Sequence, residues 1–125
     1  MGEAMSQDYF ISERDGLVVL SLDGVLDRNS EVTFEESFQR ISAKNPKCLI
    51  LNMTTVTDIR QEAFRSFTLI SRKAKANGLL FLVSGISDDL RALLLEKGLV
   101  DRKELSCGSL AQAIIVAGKI CKRAA

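Results

Sequence analysis

The chain has 125 residues, 46% of them hydrophobic and 26% charged, a size and composition that predict one globular domain with a substantial core. The 17 basic and 16 acidic residues leave a net charge of +1, without the clustered basic excess that nucleic-acid binding requires. Histidine is absent, which removes imidazole bases, Ser-His and Cys-His dyads and the commonest zinc ligand.

The beginning of the chain shows no targeting pattern. Residues 1–8 are polar and predict a flexible N-terminus, so residues 9–125 are assigned to the domain. No segment approaches the roughly 18 apolar residues of a membrane span. The three cysteines are too widely spaced for a C-x-x-C motif or a disulfide framework. We therefore expect a cytoplasmic protein with no membrane span, no metal site and no cofactor.

Two strands joined by a tight turn are predicted first. Residues 9–13 alternate weakly up to Asp15-Gly16, which is a strong hairpin dipeptide. The β-branched run Leu17–Leu22 follows, and strands on either side of such a turn pair antiparallel. The first helix then has apolar residues at helical spacing from Phe34 to Ile41. Its cap is predicted at Thr33 or one turn earlier at Ser30.

The middle of the chain predicts a strand, a loop, a helix and a strand. The unbroken apolar run Cys48–Met53 is typical of a central strand covered on both faces. Thr54–Arg60 is interpreted as a polar loop, and a second helix is predicted over Gln61–Ala76. Another apolar strand is predicted over Leu79–Val83.

The last part of the chain is predicted to be mostly helical. Ser87 caps a third helix, a brief strand is expected over 103–105, and Ser109 with Gln112 forms a capping box for a final helix. The order of elements predicts an α/β fold with a mostly parallel sheet of four to five strands, one of them antiparallel, and about four helices.

Several classes of function are disfavoured by missing motifs. Neither G-x-G-x-x-G nor G-x-x-x-x-G-K-[ST] occurs, so a Rossmann or P-loop nucleotide enzyme is not expected. A receiver domain would need an aspartate at the end of the central strand, where this chain has Asn52. Two alternatives stay open: an anion or nucleotide sensor near Arg60, and a metal enzyme using Asp58 and Glu62.

The segment Leu49–Arg65 resembles the signature of the STAS family (sulfate transporter and anti-sigma-factor antagonist). Further stretches match the family in the right order, so that the resemblance covers nearly the whole chain after Gln7: Leu22–Asp27, Gly78–Val83, Leu90–Leu99 and Ser109–Ala113. The resemblance implies the STAS-like (SpoIIAA-like) fold. It also implies a regulatory domain that binds another protein and is not an enzyme.

The family's phosphorylation motif is altered in this chain. Anti-sigma-factor antagonists of the family carry a serine that a partner kinase phosphorylates, and Glu62 stands at that position. Arg60 replaces the preceding aspartate, Gln61 the first serine and Arg65 the second glycine of the motif. A carboxylate does not accept a phosphoryl group stably, so the usual switch is not expected at this position.

Two interpretations of Glu62 follow from the resemblance. It is either a permanent mimic of the phosphorylated serine or an acid at a helix start that Arg60 and Arg65 neutralise, and the second is favoured because these residues differ together. Ser66, Thr55 and Thr57 remain as alternative phosphorylation sites.

The resemblance also implies a partner-binding rim. The expected partner is a GHKL-type anti-sigma-factor kinase or another STAS protein, with a homodimer or a scaffold subunit of a larger signalling assembly as further possibilities. The residues assigned to the rim are Asp27, Asn29, Asp58, Arg60, Gln61, Glu62 and Arg65.

Overall fold

The computed structural model describes residues 9–100, 102, 105 and 108–124. The strands are β1 (Tyr9–Arg14), β2 (Leu17–Leu26), β3 (Cys48–Ile59) and β4 (Leu80–Ser84). The α-helices are α1 (Ser30–Ser42), α2 (Phe64–Ala76), α3 (Asp88–Glu96) and α4 (Leu110–Ala124), and a 3₁₀ turn over Gln61–Ala63 precedes α2.

The strands form one sheet in the order β1-β2-β3-β4, in which β1 is antiparallel to β2 and the other pairs are parallel. The β1–β2 turn has positive φ at both Asp15 (52°) and Gly16 (84°). These values match a type I′ turn, whose twist suits a two-residue hairpin. The predicted α/β class, hairpin and mostly parallel sheet are confirmed.

The two faces of the sheet are covered unequally. On one face α1, α2 and α3 enclose the main core, where the rings of Phe34 and Phe67 meet edge to face with centroids 6.1 Å apart. On the other face α4 lies alone, and its small residues Ala113 and Ala117 let it approach Ile50 closely. The predicted burial of the central strand on both faces is therefore confirmed.

The predicted loop over Thr54–Arg60 is wrong. Strand β3 continues to Ile59 because its backbone keeps pairing with β2, with register shifts between Ser21 and Asp23 and between Gly24 and Val25. These irregularities interrupt the alternation of inward and outward side chains. The apolar residues of this segment therefore do not follow the two-residue spacing that identifies a strand in a sequence. The predicted second helix also starts differently, since residues 61–63 form a 3₁₀ turn before α2.

Two of the predicted helix caps are confirmed. The Ser87 hydroxyl accepts a bond from the Leu90 amide (3.3 Å), and Ser109 and Gln112 exchange the two bonds of a capping box (3.2 and 3.3 Å). Neither Thr33 nor Ser30 is the N-cap of α1, because the helix already begins at Ser30 and Asn29 occupies the cap position. The strand predicted over 103–105 falls on residues of which the structure describes only Leu105, in a turn. No helix of the described residues is long and apolar enough to cross a membrane.

Gly85, directly after β4, makes the tightest backbone approach found among the described glycines. Its φ is +72°, and a Cβ at this position would lie 2.9 Å from the Thr54 amide nitrogen and 3.0 Å from the Thr54 Cα. Gly78 has a similar φ of +74° but nothing within 4 Å of such a Cβ. Substitutions at these two glycines therefore separate the free-energy cost of crowding from the cost of a left-handed backbone.

We expect Gly85→Ala to lower the free energy of unfolding by about 2–4 kcal/mol, the sum of left-handed strain and displacement of Thr54. Gly78→Ala carries the strain alone and should cost about 1–2 kcal/mol. Urea denaturation of both variants measures the difference. Equal losses would show that the contact between residues 85 and 54 relaxes without cost.

Candidate functional site

The candidate site lies at the carboxyl ends of β2 and β3. These neighbouring parallel strands end together, and the Arg60 amide donates to the Leu26 carbonyl at 2.7 Å. In open α/β sheets the loops at this edge commonly form the binding surface. The β2–α1 turn and the 3₁₀ turn leave the sheet side by side here.

A short hydrogen-bond network fixes the β2–α1 turn. The Asp27 carboxylate accepts from the Asn29 amide (3.0 Å), and the Ser30 hydroxyl accepts from the Asp27 amide (2.9 Å). The Ser30 amide in turn donates to the Asp27 carbonyl (3.0 Å). Ser30 is fully buried whereas Asn29 is exposed, so the buried serine anchors the turn that presents the polar side chains.

Asp58 and Arg60 form an exposed ion pair beside this turn. Arg60 Nε lies 3.3 Å from Asp58 Oδ2, and the two side chains are 62% and 52% exposed. The other carboxylate oxygen of Asp58 accepts from the Ile59 amide at 2.9 Å. An ion pair this open to solvent contributes well under about 1 kcal/mol to stability, so its main effect is to orient Arg60.

Glu62 sits in the 3₁₀ turn with an exposed side chain. A bond from the Ala63 amide to the Arg60 carbonyl (2.9 Å) closes this turn. Within the described residues, no ion pair joins Glu62 to Arg60 or Arg65. Arg60 pairs with Asp58 instead, so the interpretation of Glu62 as a helix-start acid neutralised by Arg60 and Arg65 gains no ion pair and stays a prediction.

The rim residues meet in an open groove of about 560 Å³. Four of the seven predicted residues line it, namely Asp27, Asn29, Arg60 and Glu62, together with Val25 and Arg28. Asp58 adjoins the groove through its ion pair, whereas Gln61 and Arg65 are exposed but do not line it.

Sequence reasoning missed two residues that line the groove. Arg28 lies between Asp27 and Asn29, which were both assigned to the rim, and its charge is the feature that could have identified it. Val25 is 39% exposed because the irregular pairing near Gly24 turns it outward, which no pattern in the sequence reveals.

The chemistry of the groove is polar and mixed in charge. Two arginines face two carboxylates in a depression that is open to solvent, which suits complementary polar contacts with a large surface. The described residues contain no group of three or more side chains arranged to hold a metal ion. The arrangement supplies no enclosed, water-free cavity of the kind that favours acid–base catalysis.

The alternative phosphorylation sites differ in access. Ser66 is only 5% exposed and lies in the helical layer, out of reach of a kinase without unfolding. Thr55 and Thr57 are both exposed, and the hydroxyl of Thr55 donates to the Leu22 carbonyl at 2.9 Å. Of these three residues, Ser66 is therefore the least accessible.

Comparison with known proteins identifies the family. The family model of the STAS domain matches residues 10–113, most of the chain. The chain belongs to the STAS domain family. The match includes β2, β3 and β4, all of β1 except Tyr9, the groove and the start of α4, so the predicted family is confirmed. No curated relative matches the chain by sequence.

Several solved STAS structures are similar to the chain. A serine-to-glutamate variant of RsbS from Moorella thermoacetica has a TM-score of 0.78 and 22% identity, covering 91% of this chain and 97% of that one. A chain from the molecular architecture of the stressosome, described as a signal integration and transduction hub, has a TM-score of 0.70 and 21% identity (90% and 98% covered). The anti-sigma factor antagonist SpoIIAA, in its unphosphorylated form, has a TM-score of 0.70 and 15% identity (86% and 93% covered). These likenesses confirm the predicted SpoIIAA-like fold.

We expect the buried Ser30 hydroxyl to hold in place the β2–α1 turn, which forms one side of the groove. Ser30→Ala removes the acceptor of the Asp27 amide and should lower the free energy of unfolding by about 1–2 kcal/mol. Asn29→Ala is the matched control, because the Asn29 side chain makes no cap bond at the start of α1, and it should change stability by less than about 0.5 kcal/mol. Thermal or urea denaturation measures both, and equal effects would contradict the anchoring role of Ser30.

Proposed function

We propose that this STAS domain is a regulatory module that binds another protein through the groove at the carboxyl ends of β2 and β3 and has no enzymatic activity of its own. The surface consists of the rim residues Asp27, Asn29, Asp58, Arg60, Gln61, Glu62 and Arg65, extended by Val25 and Arg28. The observation that carries the proposal is the exposed carboxylate of Glu62 in the groove, which forms no ion pair with a described residue.

Glu62 stands where the resemblance to anti-sigma-factor antagonists puts a phosphorylated serine. A phosphoserine carries a charge of about −1.5 to −2, so a carboxylate reproduces its sign and part of its magnitude. Since no arginine of the described rim forms an ion pair with Glu62, permanent mimicry is favoured over a helix-start acid. In this proposal the domain is held in one signalling state.

The proposed partner is a GHKL-type anti-sigma-factor kinase or another STAS protein. The similarity to a chain of the stressosome architecture supports a place for this domain as a scaffold subunit of a larger signalling assembly. A sensor of small anions or nucleotides is less well supported, because Asp27 and Glu62 offset the positive charge of Arg28 and Arg60.

Charge reversal on the rim tests the surface. We expect the double variant Arg60→Glu/Arg65→Glu to lose capture of the partner, because like charges across an interface cost several kcal/mol. The measurement is a pull-down from extracts of the source cells, with retained proteins identified by mass spectrometry and circular dichroism as a check of folding.

Lys97→Glu is the control for this pull-down, since Lys97 is exposed and lies at the C-terminal end of α3, toward the opposite end of the sheet. It should retain every partner that the unmodified chain retains. If the rim variant also retains them all, the proposed surface is wrong.

Removal of the single charge tests the role of Glu62. Glu62→Gln keeps the size of the side chain, and we expect it to weaken binding of the captured partner about tenfold, equivalent to about 1.4 kcal/mol. Isothermal titration calorimetry gives the affinity. Glu96→Gln, an exposed acid at the end of α3, should leave the affinity unchanged. Identical affinities of Glu62→Gln and the unmodified chain would rule out phosphate mimicry.

A further inference from the structure

The edge of the sheet formed by β1 is a second surface, separate from the groove. Within the described residues β1 pairs only with β2, so one side of its backbone has no strand partner. Phe10, in the middle of this edge, is 67% exposed. An open edge strand with an exposed aromatic side chain is a template for pairing with another strand.

The hairpin geometry shows which backbone groups point outward. In a two-residue hairpin the flanking residues Arg14 and Leu17 bond to each other, and the pattern alternates along the strand. The N–H and C=O groups of Glu13, Ile11 and Tyr9 therefore point away from β2. Those of Ser12 and Phe10 point toward it.

The side chains of β1 divide between the two faces of the sheet. Tyr9 and Ile11 pack against the core under α1, and Phe10 points to the opposite face, where α4 packs mainly over β3 and β4. If two copies pair through their β1 strands about a two-fold axis perpendicular to the sheet, the corresponding faces of the two sheets lie on the same side. Such an axis must pass through a residue position of β1, because only residues of the same face then stand opposite each other.

An axis at Ile11 satisfies the backbone best. It places Ile11 opposite Ile11 of the second copy and Tyr9 opposite Glu13, so all outward groups pair and form about six hydrogen bonds. An axis at Ser12 forms about four and places the apolar Ile11 opposite Glu13. The Ile11 axis also brings Phe10 within diagonal reach of Phe10 in the second copy.

In the pairing about Ile11, an acidic side chain of one copy lies near a basic side chain of the other. The Arg40 guanidinium lies 5.6 Å from the centre of the Tyr9 ring, and no carboxylate of the described residues forms an ion pair with it. Glu36 is engaged otherwise, since the Tyr9 hydroxyl donates to it at 2.6 Å. Burial and the nearby Glu36 carboxylate raise the pKa of Tyr9, which keeps this donor protonated. Glu13 of a second copy, opposite Tyr9, would meet Arg40, which forms no ion pair within the described residues.

We infer that two copies of this chain associate through antiparallel pairing of their β1 strands about Ile11, with Glu13 of each copy bound to Arg40 of the other. The two sheets become one continuous sheet of eight strands. The groove with Glu62 stays open in both copies, since it lies at the carboxyl ends of β2 and β3. A short edge of this kind gives a modest affinity, with a dissociation constant of roughly 1–100 μM.

Sedimentation velocity of the full chain over a wide range of concentrations tests this inference. We expect a monomer–dimer equilibrium, and Phe10→Lys should weaken the dimer at least about tenfold by placing two like charges near the axis. Ile115→Lys is the matched control, because Ile115 is 58% exposed on α4, away from this edge, and it should not change the equilibrium. A chain that stays monomeric throughout, or a dimer that only Ile115→Lys disrupts, would overturn the inference.

A charge exchange tests the register. Glu13→Arg and Arg40→Glu should each weaken the dimer, and the double variant Glu13→Arg/Arg40→Glu should restore it by reversing the ion pair. Loss of structure in a single variant would not produce such a rescue, and circular dichroism checks the fold of each. Failure of the double variant to restore the dimer would overturn the Ile11-centred pairing. Because none of these variants touches the groove, the result is independent of the pull-down with the rim variant.

Discussion

The parallel pairing of β2 with β3 is the constraint on which the rest of the structure depends. It runs from Leu17 opposite Cys48 to Leu26 opposite Ile59, through two register irregularities, and ends in the bond from the Arg60 amide to the Leu26 carbonyl. Since both strands reach the same edge, the turns that follow them are brought side by side. The groove consists of the side chains that leave the sheet at this point.

The unequal covering of the two faces of the sheet has a related consequence. Three helices enclose one face, and their larger apolar side chains build the main core around Phe67. Helix α4 alone covers the other face through Ala113 and Ala117, which leaves the β1 side of that face open around Phe10. The rigid core thus carries two separate exposed features, a polar groove at the strand ends and an open edge at β1.

The local electrostatics explain why Glu62 stands out in this member of the STAS family. Arg60 is close in sequence to both Asp58 and Glu62, and its ion pair is formed with Asp58. The aspartate sits at the end of β3, where its other oxygen accepts the Ile59 amide, so it is already fixed in place for the arginine. The exposed charge of Glu62 forms no ion pair within the described residues.

The sequence by itself determined the family, from motifs in the right order along nearly the whole chain, and the α/β class, from the order of its elements. It also determined the hairpin at Asp15-Gly16 and the caps at Ser87 and Ser109, because each of these depends on residues close together in the chain. It also identified four of the residues that line the groove. Only the tertiary structure decided that β3 continues to Ile59, that Val25 turns outward and that Arg60 pairs with Asp58. These features arise from pairing between strands more than 20 residues apart and from competition between nearby charges, and neither leaves a periodic pattern in the sequence.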